Sequence, residues 1–205
     1  MELRPQKTII IQGLHTLYLR GMRSLVDLKV FLSPHELVRL AWKLHRDVSE
    51  RGQSPEHVIN NMIKREWDSK MHIEPQRNEA DWIIEYIPTE EISKEDVIAK
   101  KPFELAMRYT LWNDAPVSEL FDELVKSKAC DIQFKMFPND INRVMVEFRG
   151  NPESSVIEGV AEKIFSNLRH ITRGWRVPRW RSGLDGITQL TTLSLLNGKL
   201  REQSG

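Results

Sequence analysis

Val26-Asp27-Leu28-Lys29-Val30-Phe31-Leu32-Ser33-Pro34-His35-Glu36 carries the change of local structure on which the fold turns. Asp27 to Leu32 is a short apolar run with a β-branched centre, the composition of a strand buried on both faces. Ser33-Pro34-His35-Glu36 then supplies a capping serine, a proline at the first helical position and a glutamate at the third, so a helix is expected from here to about Arg51. Gly52 ends it, where a chain needs freedom to turn. A strand running straight into a capped helix is half of a parallel crossover unit.

Outward from that stretch the pattern repeats. Upstream, Lys7-Thr8-Ile9-Ile10-Ile11-Gln12-Gly13 is a β-branched run stopped by glycine and predicts a first strand. Leu17 to Val26 is long enough for a short crossover helix. Downstream, Ser54-Pro55-Glu56 opens another helix in the same manner, with Val58, Met62 and Trp67 on its apolar side. Asp81-Trp82-Ile83-Ile84-Glu85-Tyr86 predicts a third strand, so the first unit, residues 1–88, is expected to be α/β with a parallel sheet.

Pro88 to Lys101 is charged and strand-poor and serves as a connection. The second unit, residues 102–205, alternates differently: strand Phe103 to Trp112, helix Val117 to Lys126, strands Asp131 to Phe137 and Arg143 to Arg149 around a Pro138-Asn139-Asp140 turn, and helix Glu153 to Leu168. This is an α+β layout with one sheet face covered. A last helix, Leu184 to Arg201, is expected to pack through Ile187, Leu190, Leu193 and Leu196.

Composition excludes several functions. With 30 basic against 29 acidic side chains, the molecule as a whole offers no field to draw in nucleic acid or an anionic membrane, so any anion site must be local. The single cysteine, Cys130, can form neither an internal disulfide nor a zinc cluster and reads as a buried thiol in a reducing compartment. The longest apolar stretch, Ile9 to Ile11, is far too short to cross a bilayer. A cytoplasmic location is expected. The six histidines show no carboxylate spacing that would hold a metal, and no metal ligand is assigned.

On the helix after Pro34, Leu37, Leu40, Ala41, Leu44 and Val48 share one side, and Arg39, Lys43 and Arg46 the other. Arg51 follows at the end. Two accounts fit this face. Lys43 with Asp47, and Arg46 with Glu50, are at ion-pair spacing on a solvated surface; alternatively, cations on a helix close over a polyphosphate, where phosphoryl transfer needs positive charge around the transferring group. Spacing alone does not choose between them.

Lys43-Leu44-His45-Arg46-Asp47-Val48-Ser49-Glu50-Arg51-Gly52 resembles the phosphate lid of the uridine kinases and phosphoribulokinases, with a basic residue, an Arg-Asp pair and an Arg-Gly pair in that order. Ile9-Ile10-Ile11-Gln12-Gly13-Leu14-His15 resembles that family's strand ending in Glu-Gly, and Ile73-Glu74-Pro75 with Ala80-Asp81-Trp82-Ile83-Ile84 the segment leading to its final strand. The resemblance covers residues 7 to 87. It implies a partial P-loop kinase that moves the γ-phosphoryl group of ATP, with Mg2+, to a hydroxyl of a small-molecule substrate, a nucleoside or sugar phosphate. It further implies that Lys43, Arg46 and Arg51 contact ATP phosphates.

Two departures accompany the resemblance. Gln12 stands where the family has an acidic residue that helps hold magnesium, and no Gly-x-x-x-x-Gly-Lys-Ser/Thr loop occurs anywhere in the sequence. The chain alone is therefore expected to be inactive and to need a missing N-terminal kinase half, on a partner chain or through a homo-oligomer; the opposing expectation is a degenerate anion-binding or regulatory module. His15, just after a strand end at the carboxyl edge of the sheet, is the candidate substrate-binding residue.

Two later stretches complete the inventory. Arg181-Ser182-Gly183-Leu184-Asp185-Gly186-Ile187-Thr188-Gln189-Leu190 resembles the C-terminal extension of bacterial proteins that fuse a nucleotidyltransferase to such a kinase. Arg169 to Arg181 interleaves arginines with Trp175 and Trp180, a pattern that suits single-stranded nucleic acid but equally suits tryptophans plugging a core while arginines meet acids such as Asp185. The neutral total charge favours the second, so nucleic acid is not an expected partner.

Overall fold

The computed structural model describes residues 9–137, 140–165 and 179–202. In chain order its elements are α1 (Arg20–Arg23), β1 (Val30–Leu32), α2 (Glu36–Leu44), α3 (Pro55–Lys64), α4 (Glu66–Asp68), β2 (Trp82–Pro88), α5 (Lys94–Ile98), β3 (Leu105–Trp112), α6 (Ser118–Ser127), β4 (Asp131–Met136), β5 (Arg143–Arg149), α7 (Ser154–Ile164) and α8 (Gly183–Glu202). The strands form one mixed sheet in the order β1-β2-β3-β5-β4. Parallel pairing is confined to β1 and β2, Val30 opposite Trp82, and the remaining pairings are antiparallel. The β2–β3 ladder runs from Trp82/Leu111 to Pro88/Leu105, so both predicted units contribute strands to the same sheet.

Alternation along the strands sets the layers. Met107, Tyr109 and Leu111 of β3, Val146 and Phe148 of β5, and Trp82 and Ile84 of β2 face α6, α7 and α8 and form the main core. Tyr109 stands edge-on between Trp82, at 4.9 Å, and Phe148, at 5.1 Å, and its hydroxyl bonds Thr188 Oγ1 of α8 at 2.9 Å. The opposite face carries a small apolar cluster of Leu17, Phe31, Ala80 and Ile83 at its β1–β2 end and is charged over β3 and β5. There Glu147, 2% exposed, accepts hydrogen bonds from Arg108 and Arg149 and lies 3.6 Å from Lys135, so that one buried carboxylate is surrounded by three cations.

Several expectations are corrected. Residues 9–13 form no strand, and Ile10 is 88% exposed; β-branched residues favour a strand only where a neighbour supplies the ladder, and no described strand lies beside them. The helix expected over Leu17 to Val26 is a single turn, α1. Ser33 does not cap α2: its N–H donates to Ile84 O in the sheet, and His35 is the cap, its Nδ1 accepting from Leu37 N. In α8 the buried set is Ile187, Leu190, Thr191, Ser194 and Leu195, with Leu193 and Leu196 half-buried. Strict spacing by three drifts off a helix face, because nine residues at about 100° each end half a turn away.

Other expectations hold. Ser54 caps α3 through its side chain, and Gly52 has φ +66°, the left-handed conformation that glycine tolerates. The turn before β5 is partly outside the described residues, as Pro138 and Asn139 are; Asp140 Oδ1 accepts from Asn142 N within it. Arg169, His170, Arg173, Trp175 and Arg176 also lie outside them, while Trp180 packs on the main core and Arg181 pairs with Asp185 at 2.9 Å.

Candidate functional site

The cationic segment sits on a helical hairpin beside the sheet edge. Leu40 and Leu44 of α2 and Val58 of α3 pack with Val97 of α5 into a small core of their own. Leu37, Arg39 and Leu40 line a groove with Ile59, Met62 and Ile63, so the second half of α3 lies against the first half of α2 and the two helices run antiparallel. After Leu44 the chain widens into a π-helical stretch, His45–Glu50, before the turn at Gly52. Such wide turns change which side chains meet, and they recur at functional sites.

That widening decides the ion pairs. Asp47 is buried at 8% exposure. It accepts from Arg46 in a bidentate fork, Nε to Oδ1 at 2.7 Å and Nη2 to Oδ2 at 3.1 Å, and from Arg51 Nη1 at 3.1 Å. The Lys43–Asp47 and Arg46–Glu50 contacts allowed by spacing are not formed. The fork to Arg46 holds the Asp47 carboxyl below the usual carboxylate range, so it stays ionised. One acid thus positions two arginines.

Lys43 is the exception. It is half-buried, and burial together with the neighbouring Arg39, Arg65 and Arg46 pushes its ammonium below the ordinary lysine value, with Asp47 opposing weakly. The arrangement leaves Lys43, one turn before Arg46, as positive charge without an ion-pair partner among the described residues. Arg39 and Arg65 are the members of this neighbourhood that the lid pattern did not single out. The one available signal was Arg39 at four residues before Lys43.

His15 stands elsewhere. It is exposed and meets Tyr18 edge-on at 6.0 Å, Tyr18 in turn meeting His72 at 5.5 Å. Behind this surface, buried Gln76 accepts from Leu17 N and donates to Leu14 O and His72 O, fixing the loop that carries His15. No hydrogen bond or ion pair joins His15 to the lid cations among the described residues. Gln12 is exposed and neutral, and among the described residues no group of three or more histidines, cysteines or acids is placed to hold a metal. Among the described residues none are grouped to fit a magnesium site, whereas the cations Lys43, Arg46 and Arg51 suit phosphate oxygens.

Comparison with known proteins places this geometry. Residues 2–93 match the family model described as Phosphoribulokinase / Uridine kinase family. Phosphoribulokinase of Synechocystis is 40% identical over 88 residues, 43% of this chain and 26% of that protein. Chloroplastic phosphoribulokinase of Triticum aestivum is 35% identical over 121 residues, 59% of this chain and 30% of that protein, and uridine-cytidine kinase A of Dictyostelium discoideum 39% identical over 79 residues, 37% and 15%. The solved phosphoribulokinase of Rhodobacter spheroides aligns with a TM-score of 0.46 at 19% identity, over 73% of this chain and 50% of that one. The chain spans between a seventh and a third of these sequence relatives. Residues 2–93, which include Lys43, Arg46 and Arg51, are thus similar to the phosphoribulokinase and uridine kinase family over just under half of the chain.

Proposed function

We propose that this chain supplies the phosphate lid of an ATP-dependent kinase that phosphorylates a hydroxyl of a nucleoside or sugar phosphate, the phosphate loop and the catalytic base coming from polypeptide outside these 205 residues. The observation that carries this reading is the Asp47-held pair Arg46 and Arg51 next to partnerless Lys43, on the segment that matches the family. Guanidinium groups held in a fixed fork can meet the non-bridging oxygens of a transferring phosphoryl group without reorganising. ATP would lie against Lys43, Arg46 and Arg51. Magnesium, which the resemblance implies, would need ligands from outside the described residues, and His15 would face the acceptor.

The sheet edge supports an absent half. Among the described residues β1 pairs on one side only, Val30 is 41% and Leu32 55% exposed, and Ile9, Ile10 and Ile11 are also exposed. Parallel strands are ordinarily buried on both faces. A second reading, a non-catalytic anion-binding or regulatory module, is favoured by Gln12, whose amide supplies no charge for a hard cation, and by the lack of a Gly-x-x-x-x-Gly-Lys-Ser/Thr loop in this sequence.

Calorimetric titration of the purified chain with Mg-ATP tests the proposal. The expected result is binding that weakens about tenfold in Arg46→Ala or Arg51→Ala, with no phosphoryl transfer until a polypeptide bearing the phosphate loop is added. A folded chain that binds no nucleotide, alone or with that polypeptide, would sink it. Binding without any transfer in the reconstituted mixture would instead select the regulatory reading.

A further inference from the structure

We infer that a cavity at the amino ends of β1 and β2, the opposite end of these strands from the one that leads into α2, binds an uncharged ring compound rich in hydroxyl groups, a nucleoside or a free sugar. The inference goes beyond the lid function proposed above and does not depend on it.

Three observations carry it. The first is place and size. The cavity holds about 550 Å3 between Leu28, two residues ahead of β1, Asp81, directly ahead of β2, and Trp112, the last residue of β3, with Lys199 contributed by α8. That is room for one small ligand. Gly198 lets α8 close on this wall, since a Cβ there would overlap Pro116 of the lining. The second is a braced aromatic ring. Trp112 lines the cavity, and Arg143, which does not, holds its guanidinium 4.3 Å from the indole centroid and pairs with Asp140 at 3.5 Å. The third is unused hydrogen-bonding capacity. The Asp114 carboxylate and the Asn142 side-chain amide, both in the lining, have no partner among the described residues. Asn113 Nδ2 donates to Ile141 O, which leaves Asn113 Oδ1 open, and Asp81 accepts from Lys29 N and Nζ on Oδ2, which leaves its Oδ1 open.

Each residue has an ordinary structural use. Trp112 and Arg143 are cross-strand partners at the end of the sheet, and asparagine and aspartate are common in a turn such as the one that follows β3. Neither use requires an indole, two carboxylates and two amides to gather around one cavity with acceptors left over. The wall also selects the ligand. A phosphate or carboxylate would face the acids Asp81 and Asp114, and the Arg143 guanidinium that could answer it is held on Trp112 and Asp140. An ammonium would meet Lys199 as a like charge and has no acceptor for the Asn142 amide N–H groups. A hydroxyl both donates and accepts. Neighbouring hydroxyls on one ring can therefore donate to Asp114 and Asp81 and accept from Asn142, while the C–H face of that ring covers the indole.

The hydroxyl-bearing ring is common to a nucleoside and a free sugar. The test is therefore NMR titration of the whole chain with uridine in one arm and ribose in the other, and with putrescine as the cationic control, for wild type, D114N, W112L and R51Q. The Trp112 indole N–H and the side-chain amides of Asn113 and Asn142 report on the cavity, and thermal melting shows that each variant is folded. Uridine or ribose is expected to shift these signals saturably, D114N and W112L each to weaken the better-bound probe about tenfold, and R51Q to leave it unchanged. Asp114 is exposed and without a partner among the described residues, so D114N decides the matter even if W112L fails to fold. Tighter binding of uridine assigns the cavity to a nucleoside, and ribose bound as tightly or more tightly assigns it to a free sugar. A folded wild-type chain whose signals respond saturably to neither probe overturns the inference, as does affinity unchanged in D114N. Putrescine bound more tightly than both overturns the ligand class, and loss of binding in R51Q overturns the place, putting the ligand at the lid instead.

Discussion

The two ends of the sheet are stabilised by different means. From β2 to β4 the ladders run over six or seven residues and one face carries a continuous aromatic and aliphatic core. At the β1 end the ladder is three residues long, and the helices beside it share a small separate core. The first region commits its side chains to packing; the second keeps its cations together and its apolar edge open. Low local stability is where ligand-closing elements are drawn from, so under the proposed function the contrast separates what holds the chain together from what would close on a ligand.

The largest effect should come from the packed region. Phe148→Ala empties a fully buried ring and is expected to cost about 3–5 kcal/mol in urea unfolding, against roughly 1–2 kcal/mol for Val58→Ala in the lid core. Equal costs would mean one cooperative core and end the contrast. Next in size is Gln76→Ala. It removes the partner of Leu17 N, Leu14 O and His72 O at once, and leaving those groups unpaired should cost about 2–3 kcal/mol. A cost near zero would show that water replaces the amide and that the His15 loop is not fixed from within.

Lys43→Met sharpens the contrast from the binding side. Removing a half-buried ammonium that faces three arginines should raise the Tm of the ligand-free chain by about 1–3 °C, while pyrophosphate affinity falls. The sign follows from linkage. A folded-state value below the ordinary lysine value means that the unfolded chain binds the proton more tightly, so protonation of Lys43 opposes folding at neutral pH. A Tm that drops would show that the lysine stem contributes more through packing than its charge costs.

How much was legible in the sequence follows the same division. The strands of the second unit and the cap of α3 were readable because alternation and a Ser-Pro-Glu start are local signals, fulfilled by neighbours that are present. The cations Lys43, Arg46 and Arg51 were readable as a spacing and, through resemblance, as a proposed lid. Their pairing was not: it depends on the π-helical stretch His45–Glu50, which turns Asp47 towards Arg46 and Arg51 instead of Lys43. Residues 9–13 read as a strand because the pattern is a strand pattern, and pattern cannot show whether a pairing partner is at hand.

The smallest prediction lies at the junction of the two regions. Pro88 to Lys101 reads as a charged, strand-poor connection, and α5 forms there on a capping box in which Ser93 Oγ accepts from Asp96 N and the Asp96 carboxylate accepts from Ser93 N. The Ser93-x-x-Asp96 spacing is a local capping signal that the reading from charge alone did not use. Its bonds to Lys101 and Ser93 bring the Asp96 carboxyl down to about 2. A carboxyl depressed in the folded state contributes stability that is present above the ordinary value of about 3.9 and is lost as pH falls through 2. Asp96→Asn should therefore flatten the acid limb of the stability profile between pH about 4 and 2 and loosen α5 in hydrogen exchange, with the β3–β5 amides unchanged. Val97 of α5 belongs to the lid core, so faster exchange in α2 as well would show that the lid is held in place partly by this one cap.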